Sequence, residues 1–561
     1  MSKETKYSSN QLAKYIADSP GVIKKYIQSL EKQVGNLANI GLALSKEKNM
    51  SKLLEMILIE AKRIANSDGG TLYMMTNDNR LRFEIMMTDS LSFHMGGTSG
   101  KDIPFYPVKL YDEEGKPNKS MIAAYVGLTG ETVNISDAYK AKGFDFSGTK
   151  MFDEKTGYHS QSFLTVPLKN HEDEIIGVLQ LLNAQSQNSK KIISFASDVQ
   201  EMVEALASQA AVAITNKNLI KDLEALFESF IKLIASAIDA KSPYTGGHCA
   251  RVPEITMLLA KAVQDTIDGP FADISFTDKE MYELKIAAWL HDCGKVATPE
   301  FVVDKSTKLE TIYDRVNEVE TRFAALKRDE QIKSLKRELK VERDASLSKD
   351  EKLNKIKILK SEYSKKIRVL KSDIEFIKES NIGGEFMSGD KKDRVHAISK
   401  YRWKPNGRME NFLSEDEVYN LTIPRGTLTA EERKVINDHI VVTINMLEEL
   451  PYPKHLKNVP EFAGGHHEKL DGTGYPKGLT KDEMSVQARI MAIADIFEAL
   501  TAKDRPYKKG KTLSQAMRIL GFMKNDAHID VDLFDIFVKD KIYLKYAEEN
   551  LDPDQIDEVQ I

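Results

Sequence analysis

Apolar side chains along this chain change rhythm several times, and the changes mark out its architecture. Over residues 1–35, Leu12, Tyr15, Ile16, Val22, Ile23, Tyr26, Ile27 and Leu30 recur at helical spacing, with Pro20 as a break. This predicts N-terminal helices that pack on the next domain or at a dimer interface. An amphipathic helix is expected around Leu53 to Ile64. A period-two run follows over Gly70 to Met75, then a turn at Asn77-Asp78-Asn79 and a second run over Leu81 to Met87. Ser162 to Leu168 and Ile175 to Asn183 make another strand pair across the polar turn Asn170-His171-Glu172-Asp173. Strands in hairpins joined to helices predict an α+β sensory layout over residues 36–190.

From Phe195 to Ile238 neither Pro nor Gly interrupts a helical pattern, and Leu219, Leu223, Leu226, Phe230 and Leu233 follow a 4-3-4-3 rhythm. The reading is one long linking helix over 191–238 whose stripe forms a parallel coiled coil in a homodimer; the alternative is a stripe that packs on its own domain. Between residues 306 and 423, the stretches Tyr313 to Leu339 and Lys352 to Ile377 are helical and rich in Lys and Glu, divided by Asp344 to Lys349. Two antiparallel helices with a solvated surface account for that pattern. The segments on either side, 239–305 and 424–545, are read as one all-α domain that the hairpin interrupts.

At 561 residues the chain is too long for a single core. Its 80 basic and 85 acidic residues leave a formal charge of -5, so there is no global field to hold a nucleic acid polymer or an anionic membrane. Any anionic ligand must be gripped locally. The two cysteines, Cys249 and Cys293, are too few for a disulfide framework. No signal pattern opens the chain and no run of about 18 apolar residues occurs, so the expectation is a cytoplasmic protein.

The chemistry concentrates in the C-terminal half. His291-Asp292 ends the apolar helix Ile286 to Leu290, and His248, His439, His466-His467 and Asp495 stand on helices or helix ends of the same domain. An isolated His-Asp dipeptide carries little information. Five of the chain's 11 histidines together with two aspartates carry more. Neutral imidazoles and carboxylates suit Fe, Mn, Ni or Zn, and a carboxylate can bridge two ions. Two such ions about 3.5–4 Å apart acidify a shared water and neutralise phosphate oxygens, which is phosphodiester chemistry.

The ordered motifs HDCGK (291–295), Asp438-His439, HHEKLDGTGYP (466–476), IADIFEALT (493–501) and RPYK (505–508), with YTGGH (244–248) and Arg251-Val252 upstream, resemble those of HD-GYP phosphodiesterases. The resemblance implies metal ligation by His248, His291, Asp292, His439, His466, His467 and Asp495, with Asp292 bridging the ions. It further implies that Lys295 contacts the scissile phosphate, that Asp292 and Lys295 are the catalytic pair, and that Arg505 and Lys508 grip the phosphates of a cyclic dinucleotide. Trinuclear members place a glutamate four residues before the first histidine, where Tyr244 stands here, so two divalent ions are expected: Fe or Mn first, Ni or Zn as further candidates. The implied reaction is hydrolysis of cyclic di-GMP to pGpG and onward to GMP. Cyclic GMP-AMP or a guanosine alarmone remains as another substrate, and a non-catalytic dinucleotide receptor as another class.

Upstream, Thr156 to Ser162 followed by TVPL and EIIGVLQLLNA resembles the second half of a GAF domain. Asn134, Lys150, Phe152, Asp153 and Glu154 are similar to the N-K-F-D-E signature of its cyclic-nucleotide binders, at altered spacing. A small-molecule ligand there, or a pocket filled by side chains in a purely dimerising domain, are both open. His94, His159, His171, His396, His455 and His528 stand in polar surroundings and are assigned no ligand role, and the two cysteines are expected to be small buried side chains.

Overall fold

The computed structural model describes residues 21–187, 189–241, 247–503 and 510–560. Its contacts divide it into two units, residues 1–225 and 226–561, and the long predicted helix runs from one into the other. Arg505, Lys508, Tyr244 and the first 20 residues of the expected N-terminal helices lie outside the described residues.

The first unit opens with helices α1 (Gly21–Lys46) and α2 (Met50–Ala65); Asn49 starts α2 by accepting the Lys52 N–H. Strands β1 (Ser67–Met75), β2 (Arg80–Thr88), β3 (Phe93–Gly96) and β4 (Val108–Lys109) follow, then α3 (Ile122–Thr129), β5 (Val133–Ile135), α4 (Ser147–Thr156), β6 (Phe163–Lys169), β7 (Ile175–Gln185) and β8 (Ile192–Ile193). The sheet is antiparallel in the order β3-β2-β1-β7-β6-β5, with β4 also on β2 and β8 on β7. Alternation divides its side chains between two cores. Leu72, Leu164, Val166, Leu179 and Leu181 pack with α1, α2 and the helix that follows β8. Tyr73, Phe163 and Val178 join the α3 side. The expected hairpins at Asn77 to Asn79 and Asn170 to Asp173 stand where the turn residues indicated.

Helix α5 (Ser197–Lys241) buries Val203, Leu206, Ala207, Ala210 and Ile214 in the first unit and Ile231, Ala235 and Ile238 in the second. The stripe Leu219, Leu223, Leu226, Phe230 and Leu233 is not part of either core: each side chain is 48–63 % exposed.

The second unit continues with α6 (His248–Gln264), α7 (Asp278–Leu290) and the short α8 (Glu300–Val303). The insertion follows. Its hairpin is α9 (Val316–Glu342) and α10 (Lys349–Ile382), turned by a capping box in which Ser348 and Glu351 satisfy each other's backbone N–H, with Arg337–Glu362 (3.1 Å) bridging the pair. The insertion is more than a hairpin. Helices α11 (Gly389–Ser399) and α12 (Glu415–Leu421) and the ribbon β9 (Arg402–Trp403) with β10 (Glu410–Asn411) form a base with its own core, including Phe323, Leu370, Ile377, Val395, Phe412 and Leu421. Arg322 donates to both Glu417 oxygens (2.7 Å each), and Lys305 reaches Asn420 (2.9 Å) and Glu432 (2.8 Å). The chain ends with α13 (Ala430–Asn437), α14 (His439–Glu448), α15 (Val459–Gly464), α16 (Val486–Thr501), α17 (Leu513–Asn525), α18 (Val531–Lys539) and α19 (Ile542–Asn550). α6, α7 and α15 to α19 share one core built on Val252, Leu259, Leu284, Ile493, Phe497, Leu520 and Phe537.

Replacing Glu417, which is 2 % exposed, by Ala leaves the Arg322 guanidinium without its bidentate partner. The base of the insertion is expected to lose about 3 kcal/mol of stability. Amide hydrogen exchange should show faster opening at Phe323, Ile377 and Phe412, with the sheet of the first unit unchanged.

Candidate metal centre

Of the seven predicted ligands, all but Asp495 sit where a helix starts or stops. Thr277 and Glu280 cap the start of α7, and its end delivers His291 at the C-cap with Asp292 leaving the helix beside it. His248 is the first residue of α6, His439 the first of α14, and His466-His467 follow α15. Asp495 lies within α16. Gly294 is needed for this meeting, because a Cβ there would lie 2.0 Å from the His439 carbonyl oxygen. A side chain would push the His-Asp turn away from α14.

The seven residues converge as two groups. Asp292, His439, His466 and His467 form one, His248, His291 and Asp495 the other, and within each group the ligand atoms lie within 4.8 Å of one another. Asp292 joins them. Its Oδ2 is 3.2 Å from His248 Nε2 and 3.3 Å from His291 Nε2, and its Oδ1 is 3.2 Å from His439 Nε2. His291 is fully buried, Asp292 and His466 are 2 % exposed, and Asp495 and Lys295 are somewhat more open.

Among the described residues three of these buried atoms, Asp292 Oδ1, His439 Nε2 and His466 Nε2, all of the first group, have no hydrogen-bond partner. Orphaned buried acceptors are costly, on the order of 1–3 kcal/mol each, and their convergence needs a cation. A divalent ion fits that need in the first group, and the nitrogen and oxygen donor sets of both groups suit one.

The opposite ring nitrogens are pinned. His291, His439 and His466 turn Nδ1 to the carbonyl three residues upstream, of Ala288 (2.8 Å), Ile436 and Ala463 (2.6 Å). With Nδ1 as donor, Nε2 is left as the ligand. For His248 a side chain stands in for that carbonyl. Glu498, 1 % exposed and one turn beyond Asp495 on α16, takes its place: it accepts from His248 Nδ1 and from Arg251 Nε (2.7 Å). Glu498 and Arg251 fall within the motifs of the sequence reading but were given no role there, although each stands three residues from a predicted ligand on the same helix, a spacing that shares a face. Glu468, also buried, was likewise given none. Its carboxylate accepts the backbone N–H groups of Lys477 (2.7 Å) and Leu479 (2.9 Å), and so folds the loop that stacks Tyr475 on His467, 4.9 Å between ring centres. Gly474 permits that fold, since a Cβ would meet the Lys469 nitrogen at 2.3 Å.

The electrostatics of the two groups differ. Burial pulls His248 and His291 down, but Glu498, Asp292 and Asp495 outweigh it, holding His248 well above its ordinary value and His291 at about 9. Burial would raise Asp292 and Asp495, yet Lys295 and His291 hold the first, and His248 and His291 the second, well below the carboxylate range. Burial lowers His466 well below its usual value, aided by His467 and His291, and brings His467 to about 4. Burial opposes charge on Lys295 too, but Asp292 and Asp495 raise it to about 12, so it is a fixed cation that hydrogen-bonds Asp292 Oδ2. Cys249 and Cys293 are buried, and burial pushes both thiols up, Cys293 to about 11, so neither supplies a thiolate.

Comparison with known proteins gives two domains. A GAF domain model matches residues 49–214 and an HD domain model matches residues 415–533, which include His439, His466, His467 and Asp495. A 3'3'-cGAMP-specific phosphodiesterase of Vibrio cholerae is 39% identical over 107 residues, 19% of this chain and 22% of that protein. A cyclic di-GMP phosphodiesterase of Pseudomonas aeruginosa is 45% identical over 74 residues, 13% of this chain and 17% of its own length. One from Thermotoga maritima is 39% identical over 93 residues, 17% and 25% respectively. The chain thus spans a quarter or less of the length of these relatives. Among solved structures, the GAF domain of an Acinetobacter phosphoenolpyruvate-protein phosphotransferase matches with 16% identity and a TM-score of 0.25, over 34% of this chain and 98% of that one. The chain carries a GAF domain followed by an HD domain, and its partial relatives include phosphodiesterases of cyclic dinucleotides.

Proposed function

We propose that this protein is a metal-dependent phosphodiesterase that hydrolyses a cyclic dinucleotide, cyclic di-GMP ahead of 3'3'-cGAMP, opening it to the linear dinucleotide. The observation that carries the reading is Asp292, one oxygen on each of two histidine groups, one of which holds buried ligand atoms that lack hydrogen-bond partners among the described residues. His248, His291, Asp292 and Asp495 would hold one ion and Asp292, His439, His466 and His467 the other, Fe or Mn before Ni or Zn. Bound there, a pair of divalent ions supplies an acidified water and charge neutralisation for phosphate oxygens. Lys295 adds a fixed positive charge beside Asp292, where charge accumulates on the phosphate. Arg505 and Lys508 are assigned to the flanking phosphates by motif, Arg for its planar fork. A site built only for recognition would not need this full ligand set, which favours turnover over a passive receptor.

The exposed 4-3-4-3 stripe of α5 fits a second copy of the chain in a parallel coiled coil, which would join two HD domains to two sensors.

Three outcomes follow from this reading. With Mn or Fe, wild-type protein should convert cyclic di-GMP or 3'3'-cGAMP to linear product on chromatography, and Asp292→Ala should lose at least about a thousandfold in kcat, several kcal/mol of lost stabilisation; turnover of neither dinucleotide would remove the proposal. Glu498→Gln keeps the shape but puts an amide against Arg251 and His248, so the ion held by His248, His291 and Asp495 should bind about 10–100-fold more weakly. Elemental analysis would then fall toward one ion per chain while the His439 group stays loaded. Replacing Leu223 and Phe230 together by Glu should shift the protein from dimer to monomer in sedimentation, with the GAF and HD cores intact.

A further inference from the structure

The first unit encloses a cavity of about 570 Å³ between the sheet and the α3–α4 side, within the range of small-molecule sites. It is not filled by the protein's own side chains. Among the described residues that line it, eight are Phe or Tyr and none is Lys, Arg or His. Tyr73 and Phe83 pack at 4.7 Å and Phe83 and Phe105 at 5.7 Å between ring centres, making a continuous aromatic wall that runs from the buried Tyr73 to the exposed Phe105.

We propose that this cavity binds an uncharged, planar heteroaromatic molecule and not a cyclic nucleotide. The argument has two halves. A phosphate needs a cation or free backbone N–H groups, and the wall offers no cation. At the start of α4, where N–H groups could serve, the Asp145 carboxylate already accepts from Ser147 (2.8 Å) and is the only acidic side chain lining the cavity. The N-K-F-D-E residues are committed elsewhere. Asn134 donates to the Phe195 carbonyl (3.1 Å) and Gln200 (3.0 Å), Lys150 lies over the Tyr139 ring, and Asp153 accepts from Ser160 and Tyr139. Of the five, Phe152 alone lines the cavity.

The second half is what the walls do offer. Flat rings are the natural partners of an aromatic wall, since offset or edge contacts add about 0.5–1.5 kcal/mol per ring beyond burial. Inside, the Tyr73 hydroxyl donates to Gln180 Oε1 (3.3 Å) and Gln180 Nε2 donates to Thr165 (3.1 Å). One Gln180 amide hydrogen and one Tyr73 oxygen lone pair stay available by valence, the Thr71 hydroxyl engaging the other. That pair of neutral groups matches a ring carbonyl or ring N–H and has nothing to offer a charge.

Calorimetric titration of the full-length protein with indole, 2-quinolone and hypoxanthine, and separately with cyclic AMP, cyclic GMP and decanoate, tests this. Binding is read directly, so the outcome does not depend on whether the HD domain cuts a dinucleotide. The expected result is saturable one-per-chain binding of at least one neutral heteroaromatic. It should weaken at least tenfold in Ala123→Phe, which fills the cavity, and in Gln180→Leu, which keeps its volume but removes the polar handle. Circular dichroism and an unchanged thermal midpoint establish that the variants fold. Binding of a cyclic nucleotide or of decanoate that Ala123→Phe abolishes would overturn the proposal. So would the absence of saturable binding by all three heteroaromatics, or binding that both variants leave unchanged.

Discussion

The second unit is organised around the two oxygens of Asp292, each turned to a different set of imidazoles. A buried carboxylate among buried histidines is an expensive arrangement, and three ligand atoms lack hydrogen-bond partners among the described residues. Helix ends make it feasible. They bring side chains from α6, α7 and α14 and from the residue pair after α15 to one point beside Asp495 of α16, while the helical cores behind them remain apolar. Gly294 keeps the backbones close enough for one carboxylate to reach both groups.

Tautomer control is distributed unevenly over this centre. Three histidines are oriented by a carbonyl of their own chain segment, a local device that costs no additional side chain. His248 begins its helix and borrows Glu498 from α16, with Arg251 holding that carboxylate ionised and in place. Orientation of one group thus depends on the packing of α6 against α16, whereas the other group relies mainly on its own turns. The difference in protonation follows the same division: carboxylates surround His248 and His291, while His466 and His467 lie in a dry pocket of like groups that keeps them neutral.

The first unit uses its sheet in two ways. One face is closed by α1, α2 and α5 with aliphatic side chains, as an ordinary core. The other face carries larger rings against α3 and α4, and their packing leaves a cavity between them. Helix α5 belongs to the closed face at its start and to the HD core at its end, with an unburied apolar stripe between. The insertion stands apart in construction: its base closes its own core, Lys308 ties its two ends together through the Leu421 and Ile423 carbonyls, and Lys305 joins it to the flanking helices by reaching both Asn420 and Glu432.

By itself the amino-acid sequence determined the elements: the paired strands with their turns, the unbroken linking helix and the two charged helices, because period and turn chemistry are local. The imidazole and carboxylate side chains that meet here, and their order along the chain, were legible too, since those residue types are the ones that suit a divalent ion. Tertiary structure alone decided which ligands share a group, that Asp292 stands between them, and that Glu498, Arg251 and Glu468 complete the site. Those relations join residues as far apart as His248 and Glu498, and no local period encodes a distance across a core. The same limit hid the folded base of the insertion and the open aromatic cavity, which exist only once side chains from several elements have packed, or failed to pack, against one another.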